Sequence, residues 1–153
     1  MILIRLLEKE DITPAMDMVW KVFLEFIAPD YAQEGIDEFK KFIDTAHITE
    51  KQASGEFKLW GAFDSERPAG IIAIGPPLRI ALLSVDKEYH RQGIARRLFK
   101  TALDDKARTV GHSKITVNAS PYAVDIYRRL GFTPTDTEQT VNGLRFTPME
   151  CKI

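Results

Sequence analysis

The sequence predicts a mixed α/β domain in which a mostly antiparallel, twisted central sheet carries helices on its faces. Three observations predict it. The middle of the chain holds consecutive apolar runs separated by turn-forming residues, which read as a meander of strands. An amphipathic helix then lies between two apolar runs, as in a strand–helix–strand unit with a right-handed crossover. Near the end, Asn142-Gly143 joins two extended runs, and that dipeptide is the strongest short hairpin signal.

Taken in order, Ile2, Ile4 and Leu6 alternate with Leu3, Arg5 and Leu7 and predict a first strand. Asp11-Ile12-Thr13-Pro14 predicts a helix start, with Thr13 as its cap and Pro14 at the first helical position, where a missing N–H is harmless. Met18, Val22 and Phe26 form the apolar stripe of that helix, widened by Val19 and Phe23, and Pro29 is expected to stop it. Ile36, Phe39, Phe42 and Ile43 keep helical spacing for a second helix. Strands follow over 57–63, 69–74 and 78–85, the first pair separated by the turn 64–68 and the second by Gly75-Pro76-Pro77. A helix is predicted from Gly93 to Arg108, with Ile94, Leu98 and Ala102 on one stripe. A short strand over 114–117 leads to a helix opened by Pro121 and stopped by Gly131. Strands over 135–141 and 144–151 close the chain. The predicted order is β-α-α-β-β-β-α-β-α-β-β, about seven strands flanked by four helices, in a single domain spanning residues 1–153.

Bulk properties bound the function. The 153 residues suit one domain, and 44% hydrophobic with 28% charged residues describes a folded globular chain. A net charge of −1 supplies no global field for nucleic acid or anionic membrane, so neither is expected as a partner. Cys151 is the single cysteine, which excludes an internal disulfide and fits a reducing compartment. No apolar run approaches the roughly 20 residues that span a bilayer. Residues 1–10 lack the continuous apolar core of a signal peptide. The expected location is the cytoplasm.

The most informative stretch runs from Val85 to Leu98: a strand, a short polar loop, then a helix. Gly93 and Ala95 sit where the helix begins, and small residues there let a ligand approach the backbone. The free N–H groups and positive dipole end of a helix start form an anion site. Arg91, Arg96, Arg97 and Lys100 add positive charge around it. Small residues at a helix start are nevertheless common in any strand–turn–helix unit, and helical arginines usually face solvent. The loop is neither a Walker A sequence nor the three-glycine dinucleotide fingerprint.

The six residues His90-Arg91-Gln92-Gly93-Ile94-Ala95 resemble the acetyl-CoA loop of the GNAT acetyltransferases, Gln/Arg-x-x-Gly-x-Gly/Ala at a strand-to-helix junction. His90 departs from that pattern; the last four positions fit it. A second, longer segment from Val117 to Phe132, with Asn118 at a strand end, Tyr127 in the helix and the exit Leu130-Gly131-Phe132, is similar to the second cofactor segment of the same superfamily. The resemblance is best over residues 78–132. It implies a GNAT-like fold and acetyl-CoA as cosubstrate.

What the resemblance implies can be assigned by residue. Leu83, Ser84 and Val85 would pair their backbone with the pantetheine arm, and a backbone N–H there would polarise the acetyl carbonyl. His90, Arg91, Gln92, Gly93, Ile94, Ala95 and Arg96 would hold the phosphates. Gly93→Val is therefore expected to cost cofactor affinity far more than folding. Asn118 would bond the pantetheine amides; on the sequence alone it reads as a turn-forming residue. Tyr127 would point at the cofactor sulfur and act as general acid, since a phenol keeps its proton at neutral pH; on the helix pattern alone it is a core residue. Tyr122 is the other candidate phenol. Glu34, Asp86, Glu88 and His47 are possible bases in principle, His47 reading rather as a surface residue, and no base is assigned. No spacing of His47, His90, His112 and Cys151 suits a metal, so none is expected.

An amine-bearing acceptor would sit among the first two helices, the strand end at Val85 and the final hairpin, following the family layout. Trp20, Phe23, Phe26, Tyr31, Phe39 and Phe42 could line an apolar or aromatic site, and Glu34, Asp37 and Glu38 could attract a cation. These point in different directions. A homodimer is compatible with the sequence. A non-catalytic acetyl-CoA-binding module would keep the loop and dispense with the acid, and retention of Tyr127 argues against it.

Overall fold

The computed structural model describes residues 1–153, except the side chains of residues 107–110. Its elements run β1 (Ile2–Leu6), α1 (Ile12–Val22), α2 (Gln33–Phe42), α3 (Thr45–Ala53), β2 (Lys58–Asp64), β3 (Arg67–Gly75), β4 (Arg79–Val85), α4 (Ile94–Val110), β5 (Lys114–Ala119), α5 (Val124–Arg129), β6 (Thr133–Pro134), β7 (Gln139–Val141) and β8 (Leu144–Lys152). The expected end of the fourth of these helices at Arg108 falls outside the described side chains. The sheet has the order β1-β2-β3-β4-β5-β8-β6, with β7 paired to β8. Every pair is antiparallel except β4 with β5.

The fold is the mixed α/β architecture read from the sequence, with two more pieces than expected: eight strands and five α-helices. The additional helix, α3, buries only Ile48 and carries a weak apolar stripe, so periodicity does not announce it. The additional strand, β6, is a two-residue contact with β8.

Strand alternation sends side chains into two cores. Ile72 and Ile74 of β3, Ile80 of β4 and Ile115 and Val117 of β5 pack under α4 with Ile94, Leu98, Phe99 and Ala102. Ile71 and Ala73 of β3 and Leu82 of β4 pack under α1 and α3 with Ile12, Met16, Val19 and Ile48. Continuous apolar runs in the central strands are the signature of a sheet covered on both faces.

Local differences from the sequence reading cluster at helix ends. Helix α1 begins one residue before Thr13, whose hydroxyl instead meets Thr45 Oγ1 at 3.4 Å. Asp11 organises the entry: its carboxylate accepts from Glu8 N–H at 2.8 Å and from Arg5 at 2.7 Å. Pro29 does not stop the helical path where α1 ends. A π-helical turn, Phe23–Ile27, intervenes, with Ala28 N–H donating to Phe23 O, and Pro29 lies within the 3₁₀ turn Ala28–Asp30. Such wide turns often mark functional sites. Pro121 opens a 3₁₀ turn, Pro121–Ala123, that leads into α5.

Candidate active site

The site begins with a parallel pair that comes apart. β4 and β5 pair only at Arg79 with Thr116 and Ile80 with Val117. Beyond this, β4 stays with β3 as far as Val85 opposite Gly70, while β5 stays with β8 as far as Ala119 opposite Thr147. Ala81 is an extra residue in β4, because Ala73 faces Leu82 and Ile74 faces Ile80. A bulge of this kind bends its strand and re-aims its backbone. The strands therefore diverge, and from Leu82 to Val85 β4 has no strand neighbour on the β5 side. Into this wedge opens a cavity of about 900 Å³, lined among others by Leu83, Ser84, Val85, Asn118, Tyr127 and the start of α4.

The loop between β4 and α4 is held by polar contacts, the central one at the buried Asp86. Asp86, 3% exposed, accepts from Glu88 N–H at 3.0 Å, and its own N–H donates to Ala69 O at 2.8 Å. Lys21 and Arg67 each stand 3.4 Å from its carboxylate. Burial pushes this carboxyl up, but the Glu88 N–H and the two cations outweigh it and hold it below its ordinary value. Tyr89 donates to Asp64 at 2.6 Å. His90 has a defined place: Nε2–H donates to Val85 O at 2.8 Å, and its ring lies 5.3 Å from that of Phe26.

Arg91 and Gly93 both adopt left-handed backbone, with φ of 63° and 75°. For arginine this conformation carries strain, of the kind that concentrates at functional loops. Gly93 is the N-cap of α4, and a Cβ there would project into open space. The first bond of the helix is Arg97 N–H to Gly93 O at 3.1 Å, which leaves the amides of Ile94, Ala95 and Arg96 without helical partners. The left-handed φ corrects one expectation: valine at 93 would strain the fold in addition to any cost in cofactor affinity.

Most of the residues singled out from the sequence meet at this cavity: Leu83, Ser84, Val85, His90, Arg91, Gly93, Ile94, Ala95, Arg96, Asn118 and Tyr127 all line it, and Gln92 does not. The basic rim is narrower than the sequence suggested. Arg96 donates to Arg129 O at 2.7 Å and ties α4 to the end of α5, whereas Arg97 reaches back to Ile2 O at 3.2 Å. Neither Arg97 nor Lys100 lines the cavity.

Helix α5 ends in a Schellman motif. Phe132 N–H donates to Tyr127 O and Gly131 N–H to Arg128 O, both at 3.0 Å, with Gly131 at φ 103°. The motif places the Phe132 ring edge-on against Tyr127, 5.4 Å between centroids. Tyr127 is 5% exposed, and burial raises its phenol well above the ordinary tyrosine range. Asn118 is exposed at the end of β5.

The opposite wall is aromatic. Phe23 stacks on Phe39 at 4.1 Å, and Tyr31 meets Phe23 edge-on at 5.7 Å. Phe26 bridges the wedge, lying against His90 on one side and stacked on Tyr122 at 5.0 Å on the other. The turn of the β7–β8 hairpin, with Asn142 at φ 53° and Gly143 at φ 78°, closes this end. Helix α2 rests on it so tightly that a Cβ on Gly35 would overlap the Gly143 carbonyl. Tyr31 donates to Arg145 O at 2.8 Å, and Arg145 donates back to Asp30 O at 3.0 Å. Burial, opposed by Arg145, pushes the Tyr31 phenol up to about 12.

None of Glu34, Asp86, Glu88 and His47 lines the cavity, nor do Asp37 and Glu38. His47 instead contacts Phe42 O at 2.7 Å through Nδ1. Sequence reasoning missed Arg79 and Arg129 as lining residues, because a charged residue at an element end carries no periodic signal. No cluster of potential metal ligands occurs among the described residues. No helix among them is long and apolar enough to cross a membrane.

The acetyltransferase (GNAT) domain family matches the sequence over residues 27–153. No curated protein sequence matches the chain. Among solved structures, the PaiA N-acetyltransferase of Thermoplasma acidophilum in complex with coenzyme A superposes with a TM-score of 0.84 at 19% identity, covering 100% of this chain and 99% of that one. A GCN5-related N-acetyltransferase from Rhodopseudomonas palustris gives 0.82 at 22% identity, covering 99% and 95%. An aminoglycoside 6′-N-acetyltransferase complexed with coenzyme A gives 0.71 at 13% identity, covering 98% and 96%. Likenesses at these identities establish the fold.

Proposed function

The chain belongs to the GNAT acetyltransferase family, and from that premise we propose that it moves the acetyl group of acetyl-CoA to an amine by direct attack in a ternary complex. The observation that carries the reading is the parting of β4 from β5 directly before a helix start with three unpartnered amides. An extended arm with amide groups fits along Leu83, Ser84 and Val85, and phosphates fit against Ile94, Ala95 and Arg96. Arg91 and Arg129 supply positive charge at the rim. Asn118 faces the same arm from β5.

Acetyl-CoA, when bound, supplies the activated thioester. The chain's own part is to orient it, polarise its carbonyl through a backbone N–H beside the Ala81 bulge, and return a proton to the departing sulfur. Tyr127 is the residue for the last task. Its burial holds the proton on the phenol at neutral pH, and the same apolar surroundings disfavour a free thiolate, so proton transfer is favoured as the thioester bond breaks. The acceptor binds as the neutral amine or first gives its ammonium proton to water, and the proton it loses as the amide forms also passes to water, since no carboxylate lines the cavity among the described residues.

Thermal unfolding with ligands tests the binding step. Acetyl-CoA and CoA should raise the melting temperature more than NAD or ATP, with about 2.7 kcal/mol added at about 100 times the dissociation constant. A panel of amines, followed as released free thiol, tests the transfer. A well-folded protein that shows no shift at millimolar acetyl-CoA would overturn the assignment. CoA binding without turnover on any amine, and without an effect of Tyr127→Phe, would favour the non-catalytic module.

A further inference from the structure

Resting on the acetyl-transfer reading, we infer that the acceptor is an amine on an apolar, ring-bearing body that also carries a carboxylate, of the kind an aromatic α-amino acid offers, and that Arg79 recognises that carboxylate. Three observations lead there.

The first is the wall of the acceptor side. Phe23, Phe39 and Tyr31 form one connected aromatic surface, and Phe26 with Tyr122 forms another. Phe146 of β8 faces the same cavity. Such surfaces hold flat apolar groups by stacking and edge-to-face contact. They offer little to a long, strongly hydrated cation.

The second is charge. Among the described lining residues there is no aspartate or glutamate; the charged ones are Arg79, Arg91, Arg96 and Arg129. Recognition of several ammonium groups needs carboxylates within a few ångströms, and cations facing a cationic rim repel. Glu34, Asp37 and Glu38 do not line the cavity, and two acidic residues of this region are engaged elsewhere: Asp37 accepts from Gln33 at 2.9 Å, and Glu25 pairs with Lys87 at 3.0 Å.

The third is the position of Arg79. Arg91, Arg96 and Arg129 belong to the α4 start and the α5 end, where phosphates would lie. Arg79 stands apart, at the closed end of the wedge where β4 and β5 still pair. Its neighbour Ile80 packs into the core under α4, so strand alternation sends Arg79 to the other face, the one covered by α1–α3 and reached by Phe39 and Phe42. Its side chain makes no hydrogen bond or ion pair among the described residues. A guanidinium left open on an aromatic cavity matches the fork geometry of a carboxylate.

The experiment compares L-tryptophan and L-phenylalanine, their decarboxylated counterparts tryptamine and phenethylamine, and the polycations spermidine and kanamycin. Turnover is followed as free thiol, and equilibrium dialysis of the same compounds follows binding without turnover. The amino acids should lead the plain amines in kcat/KM by about tenfold, and the polycations by about a hundredfold, one charge-assisted contact being worth roughly the former. Arg79→Gln should erase the lead of the acids over the plain amines and leave CoA binding unchanged. Spermidine or kanamycin as best acceptor, or an acid-to-amine ratio unmoved by Arg79→Gln, overturns the inference. Dialysis keeps the two readings apart: a protein that does not bind CoA defeats acetyl transfer, while its preference among the free compounds still decides the acceptor class.

Discussion

The two halves of the cavity are built from different material. The half proposed for the cofactor is made of backbone: a strand edge from Leu82 to Val85, three free amides at the start of α4, and two left-handed residues that aim them. The half proposed for the acceptor is made of side chains: aromatic rings on a π-helical turn, α2 and β8, with one open guanidinium. A backbone site recognises groups that every CoA thioester shares and tolerates substitution at most of its positions. A side-chain site is redrawn by single substitutions, so within one fold the first half suits a constant ligand and the second a variable one.

The largest effect is expected at Tyr127, which lines the cavity and is proposed to act where the two halves meet. Tyr127→Phe keeps the ring against Phe132 and should leave the CoA dissociation constant unchanged. Turnover should fall about 10²- to 10⁴-fold in single-turnover measurements, where product release does not mask chemistry. Retained turnover would remove the phenol from the mechanism.

Next in size is Gly93. Gly93→Asn tolerates the left-handed backbone and adds bulk in the open space beside the helix start, so CoA affinity should drop about tenfold, the worth of one such contact, with little change in melting temperature. Gly93→Val should lose the same affinity and in addition about 1–2 kcal/mol of stability from the φ of 75°. Equal stability of the two variants would show that strain at this position is unimportant.

Asp86→Ala should cost about 1–2 kcal/mol, since it removes the cap on Glu88 and leaves Lys21 and Arg67 facing each other. The pH dependence has a definite sign. The Asp86 carboxyl lies below its ordinary value in the folded chain, so its contribution is full above the ordinary carboxylate range and is lost as pH falls through the lowered value. Asp86→Asn should flatten that part of the acid limb in melting curves. A limb unchanged in steepness and position would assign it to other carboxylates.

The smallest effect is expected at Tyr31. Tyr31→Phe removes the bond to Arg145 O and should cost about 1 kcal/mol. The acceptor KM should rise severalfold while CoA affinity stays put. A change in CoA affinity would mean that the halves are coupled through the hairpin, contrary to the division drawn above.

The same division explains what could be read from the sequence. The loop around Gly93 and the exit Leu130-Gly131-Phe132 are legible because backbone geometry demands particular residues: glycine at φ 75° and at φ 103°. Asn142-Gly143 is legible for the same reason. The meander and the two-faced sheet follow from apolar runs. Helix α3 is not legible, since it presents one buried Ile48 among polar residues. Nor is the wide turn Phe23–Ile27, which keeps helical spacing while altering which rings face the cavity. The stripe of Val22 and Phe26 indicates apolar contact equally well for a core or a ligand wall. The role of Asp86 stays hidden because its partners Lys21 and Arg67 come from distant positions, and an Arg79 side chain without a partner among the described residues is visible only in the folded chain.

The contact between Gly35 and Gly143 carries a consequence for how such a site changes over time. Main chain rests on main chain there, and any side chain on either residue would collide. The clearance beneath α2 and the hairpin is therefore set by atoms that substitution cannot trim. Rings below can be exchanged for others of similar thickness, which alters the outline of what is accepted; a bulkier, rounder guest would need the joint itself to part. New preferences should then arise first by repainting the floor and walls, and only rarely by raising the ceiling.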